Sequence, residues 1–232
     1  MESHYLSYDS KTKIFSKDEF SLQSNACLKA PNFLNQIYEI SIIEYLHQKF
    51  SLSGTFIDIG AHIGFYSVGL CKNFRQVIAF EPSKFQFEYL SQNKIESGLS
   101  NLSLHNCALG DMHQKLILKV MGRSGGTNTL REVNYSQTPP MEEYEVDVKI
   151  LDSYNFKDVD LIKIDVEGFE EKVIKGSIET ISNFKPLIVM ELWDETENKI
   201  NTIKLLEGLD YHYETPFEEH PEMFIFEKSL PI

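Results

Sequence analysis

The chain has 232 residues, 42% hydrophobic and 25% charged, and no Pro/Gly/Ser-rich or charged linker divides it, which fits one sizeable core in an ordinary globular protein. Its 22 Lys and Arg face 35 Asp and Glu, a formal balance of −13, so the basic footprint of a nucleic-acid binder is missing. Nothing approaches the roughly 18 uninterrupted apolar residues of a membrane span, and "MESHYLSYDSKTKIFS" lacks the apolar core of a signal peptide, so a cytoplasmic protein is expected.

In chain order, Phe33, Ile37, Ile40, Ile43, Leu46 and Phe50 recur at helical steps and predict an amphipathic helix over 33–50 that packs on the edge of the main fold. Residues 1–53 are accordingly read as a helical extension ahead of a domain at 54–232. From residue 55 short β-rich runs alternate with helical segments: "TFIDI" then 63–73, "QVIAFE" then 84–97, "LSLHNCAL", "DLIKIDV" then 169–182, and "PLIVMEL" then 197–209. That rhythm predicts a doubly wound α/β sheet with parallel strands and right-handed crossovers. Between 114 and 151, Leu116, Leu118 and Val120, then Val146, Val148 and Ile150, alternate with polar residues and predict an inserted antiparallel hairpin. The loop it encloses, 122–143, is long enough to act as a cover over a site, with Gly125 and Gly126 as hinges and Thr127 and Asn128 as polar contacts to a hydroxylated ligand. The tail reads as two final strands closing the sheet edge. Cys27, Cys71 and Cys107 form no C-x-x-C pair and are read as buried thiols.

In an open α/β sheet the ligand lies at the carboxyl ends of the strands, where strand order reverses. The first such end is Asp58 to Gly64, with Gly60 for a tight turn and Gly64 for close approach of the next helix. A dinucleotide site places a glycine where this chain has His62, and an acid ahead of the turn repels phosphate while favouring a cationic ligand. S-adenosylmethionine carries a sulfonium and an ammonium and no phosphate. Glu81, at the next strand end, suits a carboxylate accepting both ribose hydroxyls. Ser83 and Gln86 have capping-box spacing at the following helix start. At the third end Ala108 is expected flat against an adenine, with Asp111 accepting from its amino group.

With these stretches in view, "FIDIGAHIGFYS", "VIAFEPS", "NCALGD", "VKILDSY", "DLIKIDVEGFEEKVIKG" and "PLIVMEL", spread over about 54–194, resemble the FkbM family of S-adenosylmethionine-dependent methyltransferases. The resemblance implies a Rossmann-like class I sheet of seven strands, the last antiparallel, and O-methylation of an alcohol, commonly on a sugar or polyketide-type product. It also implies that Asp58, Gly60 and Gly64 form the cofactor turn, that Glu81 is the ribose acceptor, and that Ala108 and Asp111 flank the adenine.

Methyl transfer from a sulfonium is an in-line displacement, so holding the acceptor oxygen about 3 Å from the methyl carbon and excluding water is the main task. A carboxylate or imidazole near the hydroxyl assists. Asp165 and Glu167, two apart at a strand end, are the foremost catalytic candidates. His62 is a third, beside its place at the cofactor turn. Lys163, Glu191, Thr127 and Asn128 are assigned to the acceptor. The bland alternatives are a helix cap for Asp165 and His62, a favourable interaction with the helix start for Glu167, Glu170 and Glu171, the last two as solvated first-turn acids, and ordinary packing for Phe65 and Tyr66. Asp165, Glu167 and Glu191 also form an oxygen set able to share a divalent ion, but with no His/Cys cluster beside them no metal is assigned. The partner expected is a small-molecule or glycan acceptor with a free hydroxyl. The rival readings are a nicotinamide-linked oxidoreductase, a methyltransferase-like protein that binds the cofactor without turnover, and protein methylation.

Overall fold

In the computed structural model the described residues are 39–121, 126–131, 139–193 and 197–229, together with the backbone of three short strands, β1 (Ser7–Asp9), β2 (Ile14–Lys17) and β3 (Phe20–Gln23). Those three pair antiparallel into a small sheet, so the extension holds strands as well as the expected helix. The helix itself, α1, is Ile40–Lys49, and residues 33–38 lie outside the described part.

The main sheet is built from β4 (Ser53–Ile59), β5 (Phe74–Phe80), β6 (Leu102–His105), β10 (Leu161–Ile164), β11 (Leu187–Glu191), β12 (Tyr211–Glu214) and β13 (Met223–Lys228). Their order across the sheet is β12-β13-β11-β10-β4-β5-β6. β4 pairs parallel with both β5 and β10, and strand order reverses between β4 and β10. β13 runs antiparallel to both β11 and β12, which makes the tail the edge-closing hairpin expected.

Alternation along each strand sends its side chains to two cores. Phe56, Leu161, Val189 and Ile225 meet Ile42, Ile43 and Leu46 of α1, whereas Ile57, Ile162, Ile188 and Phe226 face the other layer. α1 therefore covers a face of the sheet over its central strands and does not sit on the edge. It is antiparallel to β4, so its N-terminus lies at the carboxyl ends of the strands. α2 (Phe65–Gly69) and α3 (Lys84–Glu96) follow β4 and β5.

Two elements differ from the sequence reading. The run 102–109 is split: Asn106 turns its amide onto the Glu81 and Pro82 carbonyls (2.8 and 3.2 Å), and Ala108–Leu109, now β7, pairs with β9 (Glu142–Lys149) instead. β9 also pairs antiparallel with β8 (Gln114–Val120), giving the predicted hairpin one extra strand. The helical stretch 169–182 is two helices, α4 (Glu170–Lys175) and α5 (Ile178–Phe184), broken at Gly176, where a Cβ would fall 2.0 Å from the Gly110 carbonyl oxygen. α6 (Glu197–Glu207) completes the layer. Cys71 and Cys107 are buried free thiols, and Cys27 lies outside the described residues.

Candidate active site

β4 leaves the sheet through Gly60 (φ 81°), His62 (φ 52°) and Gly64 (φ 96°), a left-handed sequence that turns the chain back into α2. A Cβ on Gly60 would lie 1.8 Å from the Asp165 carbonyl oxygen, and one on Gly64 would lie 2.6 Å from Leu90 of α3. Gly60 thus brings the turn directly against the end of β10. The Gly60 and Ala61 N–H groups both donate to the Phe80 carbonyl (2.9 and 3.0 Å), which ties the turn to the end of β5 as well.

Glu81 is buried just past that end. One carboxylate oxygen accepts the His62 N–H at 2.8 Å and the other the Ser83 N–H at 2.7 Å, so two backbone donors fix its orientation and leave further lone pairs for a ligand. Burial pushes its carboxyl up to about 7 against the opposing effect of these two bonds. The Ser83–Gln86 box does not form in reciprocal fashion: the Ser83 N–H is spent on Glu81, and its hydroxyl bonds the Gln86 side chain. Asp58 is equally buried but points to the α1 face, accepts the Ser67 hydroxyl and is pushed up to about 6, foremost by burial.

On that same face lies an unusual collection of charge. Lys163, 1% exposed, is opposite Asp58 in the β10–β4 register. Its ammonium is 3.2 Å from Asp165 and 4.9 Å from the centre of the Tyr66 ring. Burial acts against its charge, but Asp165, Glu39, Glu191 and Asp58 outweigh burial and raise its pKa. Asp165 and Glu191 share a hydrogen bond, so one of them holds a proton. Burial opposes ionisation of Asp165, yet Lys163 keeps its pKa below the ordinary value, while burial and the Asp165 charge raise Glu191. These directions favour the ionised form of Asp165 and the protonated form of Glu191. Glu167 (φ 54°) completes the group: single oxygens of Asp165, Glu167 and Glu191 come within 4.8 Å of one another. Burial, then Asp165, push Glu167 up to about 8. Asp165 caps no helix, since α4 begins at Glu170 with Phe169 at its N-cap.

The sequence profile of the Methyltransferase FkbM domain matches residues 58–224. The chain belongs to the FkbM methyltransferase family. The match runs past residue 194, where the resemblance ended, through β12 to the start of β13. Among curated relatives of this FkbM-family chain, Methyltransferase 1 of Beauveria bassiana is 26% identical over 224 residues, 84% of this chain and 87% of the relative. Methyltransferase sdnD of Sordaria araneosa is 25% identical over 183 residues, 65% of this chain and 71% of the relative. In three dimensions the chain is similar to the FkbM methyltransferase of Methylobacillus flagellatus, with a TM-score of 0.54, 18% identity and 89% of this chain covered, while spanning 56% of that longer chain. A Streptococcus mutans protein crystallised with SAH has the same fold, with a TM-score of 0.52, 10% identity, and 83% and 98% of the two chains covered.

The rest of the candidate site is reached from the inserted hairpin. Thr127 is exposed, and Asn128 receives the Met121 N–H (3.2 Å) while its own amide faces Gln86 at 3.4 Å. The residue that touches the acidic turn is Thr129, whose hydroxyl donates to the Glu167 carbonyl at 2.8 Å. Arg131 crosses Gly168 (φ 93°), where a Cβ would lie 2.1 Å from the Arg131 Cδ. Tyr144 of β9 accepts the Lys84 N–H at 2.9 Å, so the hairpin also rests on the helix start beside Glu81. Gly125 falls outside the described residues. Ala108 is buried, and Asp111 pairs with Lys172 at 2.8 Å through one oxygen while its other is buried with no partner among the described residues.

Several placements depart from the sequence reading or extend it. Glu170 is no solvated acid: it is buried, accepts the Gly168 N–H at 2.9 Å and bonds Asn198. Glu171 does pair at the surface, with Lys175 at 2.6 Å. Trp193 is half exposed beyond Glu191. Tyr66 does more than pack, since its hydroxyl donates to Glu39, the residue preceding α1. Glu39, Thr129 and Arg131 went unnoticed in the sequence. The one signal for Glu39 is an acid placed just ahead of an apolar helical run.

Proposed function

We propose that the chain is an S-adenosylmethionine-dependent O-methyltransferase acting on a hydroxyl of a sugar, glycan or similar small alcohol in the cytoplasm. The observation that carries this reading is the Asp165–Glu191–Lys163 group, with one ionised carboxylate held against the donor turn by the Gly60 contact. The residues suit the donor: the surplus of carboxylates over Lys163 favours a cationic ligand, and Asp111 keeps a buried oxygen unbonded where an adenine amino group is expected. Gly60, Gly64 and His62 would shape the turn around it, Glu81 would accept the ribose hydroxyls, and Ala108 would face the base. When bound, the donor supplies an electrophilic methyl group on sulfur.

The chain's own part is to present the nucleophile. Asp165 accepts the acceptor hydroxyl's hydrogen bond and fixes its lone pair, and Glu167, raised to about 8, takes the proton once ionised. The His62 ring is within electrostatic reach of Asp165 and helps keep it charged. Thr127 and Asn128 on the hairpin contact the acceptor, and Glu191 and Lys163 hold Asp165. Among the described residues no helix is long and apolar enough to cross a membrane.

The test is a screen of small alcohols and nucleotide sugars with methyl-labelled S-adenosylmethionine. Label in an ether is expected. Label in amines or protein side chains, and in no alcohol, would overturn the O-methyl reading.

A further inference from the structure

Glu39 stands outside the matched domain, yet it reaches the most charged part of the site. It is 3% exposed and adopts φ 64°, a left-handed conformation that costs a side-chain-bearing residue and persists where surrounding structure enforces it. One of its oxygens accepts the Tyr66 hydroxyl, and the other is buried with no hydrogen-bond partner among the described residues. A buried carboxylate oxygen left in this way is expensive, and native structures seldom keep one without a purpose. Lys163 acts on Glu39 from below and Asp165 repels it, so Glu39 belongs electrostatically to the group at the ends of β4, β10 and β11. Within that group Glu39, Asp58, Asp165 and Glu191 surround a single lysine. What the free Glu39 oxygen lacks is a hydrogen-bond donor small enough to reach it, and this acidic setting favours a cationic one.

We propose that Glu39 receives the ammonium of the methyl donor's methionine moiety, making the N-terminal extension part of the donor site. The inference rests on the S-adenosylmethionine reading above. It explains why α1 is packed with its N-terminus at the carboxyl end of the sheet, next to the Asp58–Gly64 turn. Tyr66, on the first turn of α2, holds the carboxylate so that its second oxygen is left for the ligand. The ammonium would supply the partner that oxygen lacks.

The experiment is calorimetric titration of wild type and Glu39→Gln with two probes, S-adenosylhomocysteine and its deamino analogue, which keeps the carboxylate and the nucleoside but has no ammonium. A charge-assisted hydrogen bond of this kind is worth about tenfold or more in affinity. Glu39→Gln is therefore expected to weaken S-adenosylhomocysteine by about that factor and to leave the deamino analogue unchanged. Equal weakening of both probes would make Glu39 a purely structural residue and overturn the proposal, as would no change in either. Failure of wild type to bind S-adenosylhomocysteine would instead remove the donor reading itself.

Discussion

The two halves of the sheet's carboxyl edge are both acidic, but they are built on different principles. At the β4–β5 half, Glu81 is fixed by two backbone N–H groups and the turn by the Phe80 carbonyl, so geometry there is set by main chain. At the β10–β11 half, Asp165, Glu191 and Lys163 are fixed by one another. Main-chain fixation suits the constant nucleoside end of a donor. Side-chain fixation leaves charge and proton position adjustable, which suits a hydroxyl that must lose its proton.

The sharpest way to break this comparison is Asp165→Asn. Loss of the carboxylate that orients the acceptor hydroxyl is expected to lower turnover by about 10²-fold, and donor affinity should stay within about threefold. An equal fall in both, measured by steady-state kinetics and S-adenosylhomocysteine titration, would merge the two halves into one. The converse variant, Glu81→Gln, is expected to weaken S-adenosylhomocysteine by about tenfold while turnover at saturating donor changes little. A turnover defect without an affinity defect would place Glu81 on the wrong half.

A smaller effect follows from the protons that both halves retain. Burial raises Asp58 to about 6, Glu81 to about 7 and Glu167 to about 8, so the folded chain binds protons that the unfolded chain releases near pH 4. Stability is then fully present below the unfolded pKa values and falls as pH rises through the folded ones. Asp165, lowered, works in the opposite sense and only at lower pH. The melting temperature of the ligand-free protein is expected to drop between about pH 5 and pH 8, and saturating S-adenosylhomocysteine, through its ammonium, to flatten the drop. A melting temperature that climbs over that interval would show that these carboxyls are not held protonated by the fold.

The same contrast decides what the sequence made legible. The Asp58–Gly64 turn, Glu81 and the acids after β10 were readable because strand ends and left-handed glycines leave local marks. The wound, largely parallel sheet followed from strand–helix alternation. The division of 102–109 was not readable, since it depends on the Asn106 side chain finding carbonyls 24 and 25 residues away. Nor was the break at Gly176, which exists because the Gly110 carbonyl arrives from a different element. Thr129, Arg131 and Glu39 share that character: each acts on a turn distant in sequence, and no periodicity or spacing announces it. The β10–β11 group could be listed from sequence as separate acids. Its organisation around a buried lysine emerges only once the strands are in register.

The central claim is that the Asp58–Gly64 turn and Glu81 receive a phosphate-free, cationic methyl donor. Calorimetric titration of the wild-type protein with S-adenosylmethionine and, separately, with a nicotinamide dinucleotide tests it most directly. Saturable binding of S-adenosylmethionine at one site per chain, with no heat from the dinucleotide, is the predicted result; binding of the dinucleotide and not of S-adenosylmethionine would contradict it.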